Sequence, residues 1–81
     1  PSSKLAKPFI QIGIFSIEAN ARRTAERLNS AGMPARVLAQ SSQGRDFWRV
    51  IVGPAQSETR RASDLAKVKT LGFADAYFVT N

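Results

Sequence analysis

The side chains that could do chemistry in this sequence are limited by two absences, since its 81 residues include no cysteine and no histidine. Zinc sites built from those ligands, a Cys-His pair and a Ser-His-Asp triad are therefore excluded. Six carboxylates remain, but Glu18, Glu58 and Asp64 are expected at helix starts or on solvated helix faces. The sequence thus predicts a protein that is not an enzyme and holds no metal and no cofactor.

A second group of side chains, aromatic, amide and cationic, lies within the apolar runs FIQIGIF, FWRVIV and AYFV. Alternate residues of a β-strand share a face, so Phe47 and Arg49 lie on the same side of their strand. Because burying an unpaired charge is costly, Arg49 is expected on a face that no helix covers. We predict that this open face is a binding surface carrying Gln11, Phe47, Arg49 and Tyr77.

The net charge of +6, from 12 Lys and Arg against 6 Asp and Glu, favours anionic partners. Nucleic acid, anionic lipid and acidic polysaccharide all meet this condition, and a basic surface that only maintains solubility is a further interpretation. The pairs Arg22-Arg23 and Arg60-Arg61 are expected on solvated helix faces. No apolar run approaches the ~20 residues that a membrane-spanning helix needs.

The elements that position these residues form a small domain. Residues 1–8 lack apolar periodicity and are predicted to be a flexible tether, which leaves residues 9–81 as the domain. Apolar residues at helical spacing predict two helices that end at Gly32 and Gly72. The polar stretch 40–46 is expected to be a hairpin loop. Four strands are predicted, at residues 9–15, 35–39, 47–52 and 76–79.

The two halves of the domain resemble each other. A shift of forty positions places Gly13 on Gly53, Glu18 on Glu58 and Gly32 on Gly72. Two β-α-β halves in this order predict an α+β, ferredoxin-like βαββαβ fold. In that arrangement, both helices cover one face of a four-stranded antiparallel sheet, and the other face is open.

Strand parity assigns side chains to these two faces. The helix-covered face is expected to receive an apolar row from the first strand and Phe78 from the last. This apolar row comprises Ile10, Ile12 and Ile14. Gly13 is expected to face outward, as a bare point on the open face.

Both halves also resemble a known family. FIQIGIFSIEANARRTAERLNSAGMPARV resembles the first half of a SPOR domain, with Gln11, Gly13, Phe15 and Asn20-Ala21 as its marks. FWRVIVGP, followed by a helix and LGFADAYFV, is similar to the closing half. The resemblance covers about residues 9–79. It implies a periplasmic binding module for peptidoglycan glycan strands that lack stem peptides, attached to a septal envelope protein such as a rare-lipoprotein-A-like lytic transglycosylase.

The resemblance also implies which residues bind the glycan. The family's positions fall on Gln11, Ile14, Phe47, Arg49 and Tyr77. Phe47 would pack on the apolar side of a sugar ring, and Gln11 would meet hydroxyl or N-acetyl groups. Arg49 would bind the lactyl carboxylate of a muramic acid through a charge-assisted pair.

Three further residues are candidate glycan contacts with a structural alternative. Ser16 and Asn20 lie at the entry of the first helix, where Ser16 is also a candidate N-cap. Trp48 points inward by parity, but its size could bring it to the rim of the groove.

Two other functions compete with glycan binding. RNA-recognition domains share the βαββαβ order and stack bases on sheet aromatics, but RDFWRVIV lacks their third-strand signature. A protein-interaction domain would require a more apolar open face than one with Gln11, Gly13 and Arg49. We therefore expect a monomeric glycan-binding module that contacts neither nucleic acid nor membrane.

Overall fold

A computed structural model describes residues 6–80 of the chain. The element order is βαββαβ, and the strands form one antiparallel sheet in the order β2-β3-β1-β4. This confirms the predicted α+β fold, its four-stranded antiparallel sheet and its two helices. The elements are β1 Phe9–Phe15, α1 Glu18–Ser30, β2 Ala35–Ser42, β3 Arg45–Val52, α2 Glu58–Thr70 and β4 Tyr77–Val79.

The hydrophobic core lies between one face of the sheet and both helices. Ile10, Val50 and Val52 of the sheet form one buried cluster with Leu28 of α1 and Val68 of α2. Burying such aliphatic side chains contributes about 1.5–3 kcal/mol each. Because both helices supply residues to the same cluster, they cover the same face and leave the opposite face open.

The two helices end in the same way, as the internal repeat predicts. Each is followed by a glycine with positive φ, 88° at Gly32 and 108° at Gly72. The amide of the next residue donates back to the helix, from Met33 to the Leu28 carbonyl and from Phe73 to the Val68 carbonyl. These paired bonds satisfy carbonyls that a helix end leaves free.

The starts of the two helices differ. Ser57 caps α2, because its hydroxyl accepts a hydrogen bond from the Arg60 amide at 3.1 Å. The N-cap of α1 is Ile17, with no side-chain capping bond. The expectation that Ser16 caps α1 is therefore wrong, and its exposed hydroxyl lies at the junction between β1 and α1.

The β2–β3 hairpin is tighter than the polar stretch 40–46 suggested. Its loop is only Gln43 and Gly44, both with positive φ (54° and 79°), so the strands extend to Ser42 and from Arg45. Two residues with positive φ match the twist of the flanking strands. The hairpin therefore pairs Leu38 with Arg49 and Gln40 with Phe47.

A β-bulge in β1 overturns part of the predicted strand parity. Gln11 pairs with Ile51, but Gly13 pairs with Val50, so Ile12 is an extra residue in the ladder. An extra residue inverts the alternation beyond it. Ile14 is consequently 59% exposed, and the expectation that it lies beneath the helices is wrong.

The same inversion turns Gly13 toward the helices. Gly13 pairs with the core residue Val50, and a Cβ at Gly13 would lie 3.3 Å from the ring of Phe15. Phe15 itself packs against the core. The expectation of a bare Gly13 on the open face is therefore wrong.

Helix α2 is less solvated than its sequence suggested. Asp64 is only 3% exposed, and its carboxylate accepts hydrogen bonds from Nε of Arg60 at 3.2 and 3.4 Å. Arg61 lies over the ring of Phe78, 4.1 Å from its centre, and donates to the Lys7 carbonyl. The placement of Asp64 and Arg61 on a solvated face is therefore wrong.

The described segment before β1, residues 6–8, is hydrogen-bonded to the domain. The Pro8 carbonyl accepts a hydrogen bond from the Ala55 amide at 2.8 Å, and the Lys7 carbonyl accepts one from Arg61. Residues 1–5 of the predicted tether lie outside the described residues. None of the helices in residues 6–80 has the length and apolar character to cross a membrane.

Candidate functional site on the open sheet face

The open face is defined by the strand register. Gln11 pairs with Tyr77 on one side and with Ile51 on the other, and Ile14 pairs with Arg49. Residues paired across an antiparallel ladder share a face. Phe47 lies two residues before Arg49 in a strand without a bulge, so it lies on this face too.

A chain of two hydrogen bonds crosses the middle of this face. Arg49 donates from Nε to Oε1 of Gln11 at 2.8 Å. Gln11 donates from Nε2 to the hydroxyl oxygen of Tyr77, also at 2.8 Å. The three side chains come from β3, β1 and β4, so the bonds connect three neighbouring strands.

On one side of this chain, the open face is closed by its own side chains. Ile51 is fully buried although it lies away from the helices, between Gln11 and Arg36 on the neighbouring strands. The guanidinium of Arg36 lies 5.6 Å from the ring centre of Phe9. This arrangement covers the end of the face beside Phe9.

On the other side of the chain, and at Tyr77 where the chain ends, apolar surface is exposed. Ile14 is 59% and Tyr77 is 54% exposed, and Phe47 is half-buried. Together with Arg49, they form a strip that we call the exposed strip, defined as Ile14, Phe47, Arg49 and Tyr77. Exposed apolar groups beside a cation suit a ligand with both apolar and anionic parts.

The other predicted site residues lie elsewhere. Trp48 points to the helix-covered face, where it packs partly buried against the core. Asn20 is exposed on α1 and accepts a hydrogen bond from Arg23 at 3.2 Å, in a shallow groove beside Phe15. Ser16 lies between these regions, at the end of β1. Of the eight predicted site residues, five share the open face: Gln11, Ile14, Phe47, Arg49 and Tyr77.

Two residues of β2 on this face were missed from the sequence. Leu38 lies opposite Arg49, and the exposed Gln40 lies opposite Phe47. The signal that could have found them is Gln43-Gly44, because a two-residue turn determines which residues of a hairpin pair. The exposed strip, which spans β3, β1 and β4, is therefore bordered by the fourth strand, β2.

The chemistry of the described residues favours binding. No three His, Cys, Asp or Glu side chains in residues 6–80 are grouped to hold a metal ion. Asp64, the buried carboxylate, is paired with Arg60 on the helix side, away from the exposed strip. The exposed strip itself offers ring and aliphatic surface with one cation.

Comparison with known families gives one match. The model of the SPOR domain family matches residues 6–80, which is nearly the whole chain. No curated protein and no solved structure matches the chain.

Proposed function

Because this chain belongs to the SPOR domain family, we propose that its exposed strip is the surface that binds peptidoglycan. A SPOR domain by itself is a non-catalytic, periplasmic module, and recognition of denuded glycan strands is the known role of the family. The observation that carries the proposal is the exposure of Ile14 and Tyr77 beside the half-buried Phe47 and Arg49, on a face without helices.

The apolar members of the strip suit a sugar chain. A pyranose ring has an apolar side made of C–H groups, which packs against aromatic or aliphatic surface. Phe47 and Ile14 lie on the neighbouring strands β3 and β1, so their surfaces can contact adjacent parts of one glycan. Gln40, beside Phe47, offers amide donors and acceptors to hydroxyl and N-acetyl groups.

Arg49 gives a physical reason for a preference for denuded strands. When a stem peptide is attached, the lactyl carboxyl of muramic acid is an amide and carries no charge at that point. Amidase cleavage restores the carboxylate and removes the bulk of the peptide. A hydrogen bond to a charged group contributes about 1.5–3 kcal/mol, so Arg49 would favour the cleaved form.

We further propose that the domain acts as a monomer within a larger envelope protein. Its exposed strip mixes apolar groups with a cation, which suits a carbohydrate better than a second copy of a protein surface. Binding to denuded glycan would direct the parent protein to septal or remodelled cell wall. A lytic transglycosylase resembling rare lipoprotein A is the parent that we propose.

The test is a pulldown with intact and amidase-treated sacculi. We expect the domain to be retained more strongly by the treated sacculi, and Phe47→Ala to weaken that retention by about 1–3 kcal/mol, as for a central aromatic contact. The thermal unfolding of Phe47→Ala should stay close to that of the parent domain. Equal retention of Phe47→Ala and parent by treated sacculi would overturn this assignment of the strip.

A further inference from the structure

Gln11 is placed unlike a residue that contacts a ligand. It is only 6% exposed, whereas Tyr77 and Ile14 on the same face are more than half exposed. Its neighbours Arg49, Tyr77 and Ile51 on the adjacent strands surround it. A sugar lying on the exposed strip would find little of the Gln11 amide to contact.

Both the oxygen and the nitrogen of the Gln11 side-chain amide form hydrogen bonds within the protein. Oε1 accepts from Arg49 and Nε2 donates to Tyr77, each at 2.8 Å. Arginine has only donors, so the oxygen must face Arg49 and the amino group must then face Tyr77. The orientation of the amide is therefore determined by its two partners.

We infer that Gln11 is a positioning residue, which holds Arg49 and Tyr77 in place for the glycan and does not bind the glycan itself. This inference rests on the proposed function of the exposed strip. A long arginine side chain loses rotamer freedom when it binds, and a bond that restrains it beforehand reduces this loss. Gln11 therefore acts on affinity through the residues on either side of it.

The inference makes the effects of the three residues interdependent. Substitution of a residue that contacts the sugar removes that contact in any background. Its effect on the binding free energy therefore adds to the effects of the other substitutions. Substitution of a residue that acts only through Arg49 and Tyr77 no longer changes the affinity once the side chains of both partners have been removed. A double-mutant cycle measures this difference.

The experiment measures affinity for amidase-treated glycan in four proteins. These are the parent domain, Gln11→Met, the double variant Arg49→Ala with Tyr77→Phe, and the triple variant combining all three changes. We expect Gln11→Met to weaken binding roughly tenfold in the parent and less than about twofold in the double variant. A loss of equal size in both backgrounds would overturn the inference. Gln56→Met, at an exposed glutamine before α2, is the matched control and should not change affinity.

A second measurement does not depend on the glycan. In the free domain, the Nε–H signal of Arg49 should be protected from solvent exchange in the parent and in Gln11→Glu, which keeps an acceptor for the guanidinium. It should lose protection in Gln11→Met, which has no oxygen. Protection that persists in Gln11→Met would overturn the positioning role.

The two measurements separate this inference from the proposed function. If the parent domain fails to bind amidase-treated glycan while Arg49 is protected as expected, the proposed function of the strip fails and the positioning of Arg49 by Gln11 stands. If the parent binds and the cycle is additive, the positioning role fails and the proposed function stands.

Discussion

The two halves of β1, before and after its bulge, place the same residue type in opposite environments. Ile10 is 1% exposed in the core, whereas Ile14, four residues later, is 59% exposed on the open face. The cause is the extra residue Ile12, which inverts the side-chain alternation. Residue type alone therefore does not assign an apolar strand residue to core or surface.

The two faces of the sheet are also stabilised in different ways. The helix-covered face is a continuous apolar cluster, in which stability comes from burial and close packing. The open face has a fully buried Ile51 beside a polar chain of three side chains that joins neighbouring strands. We expect substitutions on the first face to change mainly stability and those in the exposed strip of the second face to change mainly binding.

The largest expected effect is the difference in stability between alanine variants of the two isoleucines of β1. Ile10→Ala removes buried methyl groups and leaves a cavity, so it should lower the free energy of unfolding by about 2–5 kcal/mol. Ile14→Ala removes exposed atoms and should change it by less than about 0.5 kcal/mol. Urea denaturation of the two variants and the parent measures both values. Equal destabilisation by the two changes would contradict the bulge.

The next effect concerns the charge on the open face. Arg49→Ala should reduce the preference for denuded over peptide-bearing glycan by about 1.5–3 kcal/mol, because it removes a hydrogen bond to the lactyl carboxylate. Binding to both glycan forms as a function of salt measures this preference.

Arg22→Ala is the matched control, since it removes one positive charge from the exposed Glu18–Arg22 pair of α1. It should leave the preference unchanged. The salt dependence should be gentle, because a single ion pair is involved, whereas RNA binding through many phosphates would weaken steeply with salt. A steep dependence without preference for denuded glycan would support the nucleic-acid alternative.

The smallest effect compares the two helix starts. Ser57→Ala removes the cap of α2 and should cost about 0.5–2 kcal/mol of stability. Ser16→Ala removes no cap, since Ile17 holds that position in α1, and should cost less than about 0.5 kcal/mol. Thermal unfolding of both variants tests the pair. Comparable losses would mean that Ser16 also supports its helix.

Much of the fold was predictable because its signals are local. Gly32 and Gly72 mark helix ends, since a residue with positive φ follows each helix, and the apolar stripes show which face of each helix is buried. The free-energy cost of burying an unpaired charge correctly predicted that Arg49 lies on the open face. The prediction that Ser16 caps α1 was wrong. The helix begins at Glu18, so its N-cap position is Ile17, one residue after Ser16.

The sequence by itself determined the βαββαβ order, the sheet with two helices on one face, and the absence of cysteine and histidine chemistry. These depend on composition, periodicity and helix-ending residues, which act over a few neighbours. Only the tertiary structure decided that Ile14 is exposed, that Gly13 faces the helices and that Gln11 is buried between Arg49 and Tyr77. Each of these depends on pairing between strands that lie far apart in the sequence, where one extra residue reverses every side chain that follows.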